Sequence, residues 1–196
     1  MIVAVEDVLS EVVVRKLVSR VRPDLTISVV MRKNGRGYIQ NRARDLNRTA
    51  RSVPVLILAD LDRPEPCPAD LIREWLAAPP AANLLFRVAV MEVESWIMAD
   101  REVFAGFLGV PSHRIPVDTD TIAQPKELII SLARKSRRKD IREDLVPAPG
   151  GTAAIGPGFN PRLGDFVTTQ WDADRAAASS SSLQRASERL RHSFIR

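Results

Sequence analysis

Val53-Pro54-Val55-Leu56-Ile57-Leu58-Ala59-Asp60-Leu61-Asp62 is a fully apolar run closed by two acids. An apolar run of this length, bounded by acid and by a Pro-rich turn (Pro64, Pro66, Pro68), reads as a buried strand, and residues 69–76 after the turn read as a helix. Upstream, Ile39, Ala43, Leu46 and Ala50 recur every three or four positions, a helix entered through Asn34-Gly35-Arg36-Gly37, with a strand at 26–31 before it. Further upstream, residues 1–5 form a short apolar strand ending in Glu6-Asp7, and Val8, Leu9, Val12, Val13, Leu17 and Val21 fall at helical spacing. Downstream, residues 84–91 read as a fourth strand and 95–100 as a short helix. Strands alternating with helices predict an α/β fold with a central, mostly parallel sheet flanked by helices.

Beyond residue 100 the strand pattern stops. Helices are expected at 101–108, at 125–136 with Pro125 in the first turn, at 140–146, at 163–171 and at 173–194, with a Gly/Pro-rich loop over 147–160. In the last helix Leu183, Ala186, Leu190 and Phe194 share one stripe. The expected organisation is a single domain over 1–196, with a sheet core over about 1–100 and a helical C-terminal extension over about 101–196.

The 196 residues are 45% hydrophobic and 27% charged, enough for a real core and too apolar for a disordered chain. No stretch nears the roughly 18 consecutive apolar residues of a membrane span, so no membrane partner is expected. The N-terminus lacks the features of a signal peptide, which makes a cytoplasmic location the expectation. One cysteine, Cys67, excludes an intrachain disulfide and a Cys-rich zinc site. A net charge of +5 and a pI of about 10.0 make a polyanionic partner plausible.

Parallel sheets place ligand sites at the carboxyl ends of their strands, where Glu6, Asp60, Asp62, Glu92 and Glu94 all fall. Phosphoryl chemistry with Mg²⁺ requires several carboxylates at one point, because this hard cation takes oxygen ligands. Asp60 and Asp62 flank one residue, so in extended backbone both point to the same side, while Glu11 lies in the first turn of the following helix. Two acids ending a buried strand are costly neighbours without a cation between them, which favours function for Asp60 and Asp62. Glu6 reads the same way, Glu11 and Glu94 balance between function and structure, and Glu92 leans to structure. Asp7, Asp70, Asp100 and Glu102 read as helix caps or loop charges.

The strand-Glu6, helix, strand-Asp60-x-Asp62 layout resembles the TOPRIM domain of topoisomerases, bacterial primases and OLD-type nucleases. Met91-Glu92-Val93-Glu94-Ser95-Trp96-Ile97-Met98-Ala99-Asp100 and Gln124-Pro125-Lys126-Glu127-Leu128 are similar to a TOPRIM-like bacterial family with E-x-E-x-W-x-x-A-D and P-K-x-x-L segments. Its Ser-rich C-terminal helix is matched by residues 179–183. The resemblance spans nearly the whole chain and implies Mg²⁺ (or Mn²⁺) ligands at Asp60 and Asp62. It further implies a metal ligand or general acid/base at Glu6, an additional ligand at Glu11, a second-site acid at Glu94 and a phosphate-holding Lys126. The expected function is metal-dependent hydrolysis of DNA or RNA, in phage defence with a separate ABC-type ATPase, since OLD nucleases join these modules. The alternative is a non-catalytic or regulatory partner subunit of such an ATPase. Where the family usually has Gly after the first Glu, this chain has Asp7.

A phosphoacceptor receiver domain shares the acids after strands one and three, but its lysine normally precedes proline at a strand end, whereas Lys126 follows Pro125. Two basic segments bear on a polyanion: Arg32, Lys33, Arg36, Arg42, Arg44, Arg48 and Arg51, and Arg134, Lys135, Arg137, Arg138, Lys139 and Arg142. Arg32, Lys33, Arg36, Arg137, Arg138 and Lys139 are the candidate nucleic-acid contacts, with a solvated helix face as the competing reading. Tyr38, the only tyrosine, lacks the partners of a covalent nucleophile. His113 and His192 read as surface residues, and Trp75, Trp96 and Trp171 as core anchors. The glycines at 150–158 lack a phosphate-loop lysine.

Overall fold

A computed structural model describes residues 1–32, 35–62 and 67–194. The predicted strands form β1 (Ile2–Val5), β2 (Val29–Arg32), β3 (Val55–Asp60) and β4 (Leu84–Ala89). They make one four-stranded, all-parallel sheet in the order β2-β1-β3-β4. Between them run α1 (Val8–Val21), α2 (Arg36–Thr49) and α3 (Pro68–Leu76); α4 (Val93–Met98) leaves the last strand. The extension is α5 (Arg101–Leu108), α6 (Pro125–Arg134), α7 (Lys139–Leu145), α8 (Phe159–Thr169), α9 (Ala173–Ala177) and α10 (Ser181–His192).

Alternation along the strands explains the layers. Val3, Val5, Leu56 and Leu58 join one buried cluster with α1 and the helices beyond residue 100; Ala4, Val55, Ile57 and Ala59 join another with α2 and α3. The sheet is therefore covered on both faces, and all six residues of β3 are buried, as its unbroken apolar run requires. The first cluster continues from β1 and β3 through Trp96 and Phe104 to Trp171 and Leu190, so the extension packs on the sheet.

Two expectations change. The single helix expected over 173–194 is two helices: α9 ends at Ala177 with Ala178 as its C-cap, and Ser180 starts the next, its hydroxyl accepting from the Leu183 N–H as an N-cap. Asp120 holds that junction, accepting from the Ser180 hydroxyl at 2.7 Å, the Ser182 hydroxyl at 2.9 Å and the Ser182 N–H at 2.7 Å. The Ser182 hydroxyl also accepts the Trp96 indole N–H at 2.7 Å, tying α10 to α4. The helix expected from residue 163 begins instead at Phe159, with Pro161 tolerated in its first turn.

Candidate functional site

The chain passes from β1 to β2 on one side and then crosses to β3 on the other, so the crevice beyond β1 and β3 is a topological switch point. Glu6 follows β1 and Asp60 is the last residue of β3, which brings two acids 54 positions apart to that crevice. The Asp60 N–H donates to Glu6 Oε1 at 3.1 Å, and Asp60 Oδ1 accepts the Val93 N–H at 3.0 Å. Glu94, in the first turn of α4, has no exposed surface. Both of its carboxylate oxygens are buried without a hydrogen bond among the described residues.

Lys126, in the first turn of α6, supplies the cation. Its Nζ lies 3.4 Å from Glu94 Oε1 and 3.4 Å from Glu92 Oε1, and its backbone N–H donates to Glu92 Oε2 at 3.2 Å. Glu92, read from the sequence as structural, thus anchors the start of α6 beside the acids. One lysine does not balance this much buried acid. Burial raises the Glu94 pKa to about 7 against the opposing pull of Lys126. Burial also raises Glu6 to about 7, with Asp62 adding to the rise and the Asp60 N–H and Arg36 opposing it. Asp60 is driven well above the carboxylate range by burial, then by Glu94 and Glu6. Burial alone would lower Lys126; Glu94, Glu92 and Asp60 outweigh it and push its pKa up.

The outer acids are placed differently. β3 ends at Asp60, and Asp62 has a left-handed backbone (φ 61°), so the extended register expected to align Asp60 with Asp62 stops between them. The Asp62 carboxylate instead pairs with the Arg36 guanidinium at 3.0 Å. Glu11 is engaged by Arg15 at 2.8 Å and Arg32 at 3.1 Å. Asp7 is the N-cap of α1, its side chain accepting from the Ser10 N–H, and its φ of −144° is open to any residue, so no glycine is needed there. Asp100 is the N-cap residue of α5 but makes no side-chain cap hydrogen bond there: its carboxylate is 3% exposed and accepts Arg175 at 2.7 Å and 3.0 Å, fastening the start of α5 to α9.

Among the described residues no group of three or more acidic, histidine or cysteine side chains is placed to hold a metal ion. The chemistry of the inner acids nevertheless suits a hard divalent cation: buried oxygen donors with raised pKa values, and a Glu94 carboxylate that lacks a hydrogen bond among the described residues. Glu6, Asp60 and Glu94 could hold a cation only after their side chains move together, since they do not already form such a group.

A cleft of about 320 Å³ opens against this cluster, lined by Asp62, Glu92 and Lys126 on one side and by α6 and the loop before α8 on the other. Of the candidate nucleic-acid contacts, Arg36 stands at its rim, also donating to the Leu61 carbonyl and lying over the Trp75 ring at 5.2 Å. Arg32 is bound to Glu11, and Lys33 lies outside the described residues. Arg138 pairs with Asp140 and donates to the Phe107 carbonyl, and Lys139 pairs with Glu143. Arg137 is exposed. That second segment follows the far end of α6, roughly 13 Å of helix from Lys126. His113 and His192 are exposed, and the three tryptophans are buried. No helix is long and apolar enough to cross a membrane among the described residues.

No family model, no curated protein and no solved structure matches the chain.

Proposed function

We propose that the protein is a metal-dependent phosphodiesterase acting on DNA or RNA, with Mg²⁺ or Mn²⁺ held by Glu6, Asp60 and Glu94. The observation that carries this reading is the gathering of buried acids at the switch point of the sheet, where Asp60 feels both Glu6 and Glu94 and the Glu94 carboxylate has one ion-pair partner, Lys126, and no hydrogen bond among the described residues. Asp62 and Glu11 extend the acidic set once freed from Arg36 and from Arg15 and Arg32. The metal supplies an activated water and neutralises charge on the phosphoryl oxygens. In the metal-free protein burial raises the Glu6 pKa to about 7, so Glu6 would give up its proton on taking up the metal. Lys126, which lines the cleft, and Arg36, which pairs with Asp62 of its lining, would present cationic groups to the scissile phosphate.

A second reading, a regulatory subunit whose activity waits on a separate ABC-type ATPase, is favoured by Lys126, which already offers Glu92 and Glu94 an internal cation. The receiver-like reading finds less support, since Asp60 is only 5% exposed and Lys126 comes from a helix.

The test is plasmid nicking and RNA cleavage with Mg²⁺ or Mn²⁺, beside EDTA and an Asp60→Asn variant that keeps an acceptor for the Val93 N–H. Metal-dependent cleavage that falls at least about a hundredfold in the variant supports the phosphodiesterase. Equal cleavage by the variant overturns it, and no cleavage by folded, metal-binding protein shifts the reading to the regulatory subunit.

A further inference from the structure

The cleft beside the acids has two unlike halves. Asp62, Glu92 and Lys126 belong to the acidic cluster, whereas Met91, Ile130 and Ile155 give the cleft an apolar wall. Two of its lining residues, Asp62 (φ 61°) and Met91 (φ 64°), carry left-handed backbones without being glycine, and the Asp62 N–H donates to the Met91 carbonyl at 2.8 Å. Such conformations are strained and persist where the surroundings over-determine them, commonly at ligand clamps. Here they shape one wall.

The opposite wall is held as firmly. Ile155 precedes Gly156, whose N–H donates to the Leu145 carbonyl at 3.1 Å, and a Cβ at Gly156 would stand 2.3 Å from the Asp144 carbonyl oxygen. The loop therefore sits directly on the end of α7, and Ile155 is a fixed surface rather than the tip of a lid. At the rim, the Gln124 side chain and the Glu127 carboxylate make no hydrogen bond or ion pair among the described residues, though both line the cleft. A cleft of this size that joins an apolar floor, with Met91 and Ile130 nearly buried in it, to unpaired polar groups at its edge can take a small ligand.

We propose that this cleft holds one nucleobase of the strand whose phosphate reaches the acids, and that the base is guanine. This rests on the phosphodiesterase reading and adds a specificity pocket to it. A phosphate is excluded by the three carboxylates that line the cleft, Asp62, Glu92 and Glu127, against one lysine. A flat base laid over Ile155 and the exposed edges of Met91 and Ile130 buries apolar surface. Guanine alone among the common bases offers two adjacent N–H donors, from N1 and N2, to one carboxylate, which Glu127 supplies; the Gln124 amide can donate to O6.

The experiment separates the pocket from the chemistry. Guanosine, adenosine, cytidine and uridine are titrated into the full chain in EDTA by calorimetry or ligand-observed NMR, with Glu127→Gln and the slot-filling Ile155→Trp as variants. Cleavage positions with Mg²⁺ are then mapped on a mixed-sequence single strand and on one with abasic sites in place of guanosine. The expected result is saturable guanosine binding, weakened at least about tenfold by Glu127→Gln, and cleavage clustered beside guanosine and lost at the abasic sites. Binding of guanosine no tighter than of the other nucleosides, or cleavage indifferent to the missing base, overturns the pocket and leaves the phosphodiesterase standing. Selective guanosine binding without cleavage under any metal supports the pocket and overturns the phosphodiesterase.

Discussion

Lys126 Nζ stands 3.4 Å from Glu94 Oε1, joining a partly exposed cation on α6 to a carboxylate with no exposed surface on α4. Removing the cation leaves a buried acid without its partner. Lys126→Met is expected to lose about 3 kcal/mol of stability at pH 8 and under about 1 kcal/mol at pH 5, where Glu94, with its pKa near 7, is already neutral. Urea unfolding at both pH values checks this, with Lys126→Arg restoring most of the loss. A loss independent of pH would show that the pair does not carry the effect.

The metal-free protein should weaken as pH rises. Glu6 and Glu94 have folded pKa values near 7 against an ordinary 4.5, so the folded state holds more protons than the unfolded one in that window. Their stabilising contribution is full below about pH 4.5 and is lost as pH climbs through 7, at up to about 3 kcal/mol per group. Melting curves in EDTA should show the Tm falling between pH 5 and 8, and Mg²⁺ should raise the Tm at pH 8 far more than at pH 5. A flat profile, or equal metal effects at both pH values, contradicts the acidic site.

Asp120 organises the start of α10 by accepting from Ser180 and Ser182, and Ser182 in turn accepts from Trp96. Asp120→Ala should cost about 2–3 kcal/mol, combining a lost cap network with unpaired, largely buried hydroxyls. Thermal unfolding measures it, and Asp120→Asn should recover part of the loss. A change within about 0.5 kcal/mol would mean that the serines find other partners.

Gly156→Ala places a methyl group 2.3 Å from the Asp144 carbonyl oxygen and 2.5 Å from the Leu145 carbonyl carbon. Backbone cannot yield as a side-chain tip does, so a loss of about 2–3 kcal/mol is expected, with Ile155 displaced from the cleft. Gly151→Ala meets the Ala148 carbonyl oxygen only at 3.2 Å and should cost less. Comparing the two by chemical denaturation decides the matter, since equal losses would deny Gly156 its special place.

Much of the sheet was legible because strand and helix signals are local. The apolar run ending at Asp60 is β3, and the stripe Ile39, Ala43 and Leu46 is the buried side of α2. Helix α5 falls on its expected residues, 101–108. Periodicity failed at α9 and α10, where Leu183, Ala186 and Leu190 keep one stripe and conceal the break at Ser180. The Asp172 and Ser180 caps were the available signal. Glu92 has the structural place its reading leaned to, but its partner, Lys126, lies 34 positions away and could not be named from the sequence. The alignment of Asp60 with Asp62 assumed extended backbone, and the left-handed turn at Asp62 has no marker such as glycine.

The sequence by itself determined four parallel strands, helices on both faces and acids at the strand exits, since each follows from the alternation and spacing of neighbouring residues. The tertiary structure alone decided which acids meet. The order β2-β1-β3-β4 sets Glu6 beside Asp60, and the packing of α4 and α6 then adds Glu94 and Lys126 while Arg36 and Arg32 claim Asp62 and Glu11. Those pairings depend on which apolar faces bury together across the whole chain, a long-range choice that no window of sequence records.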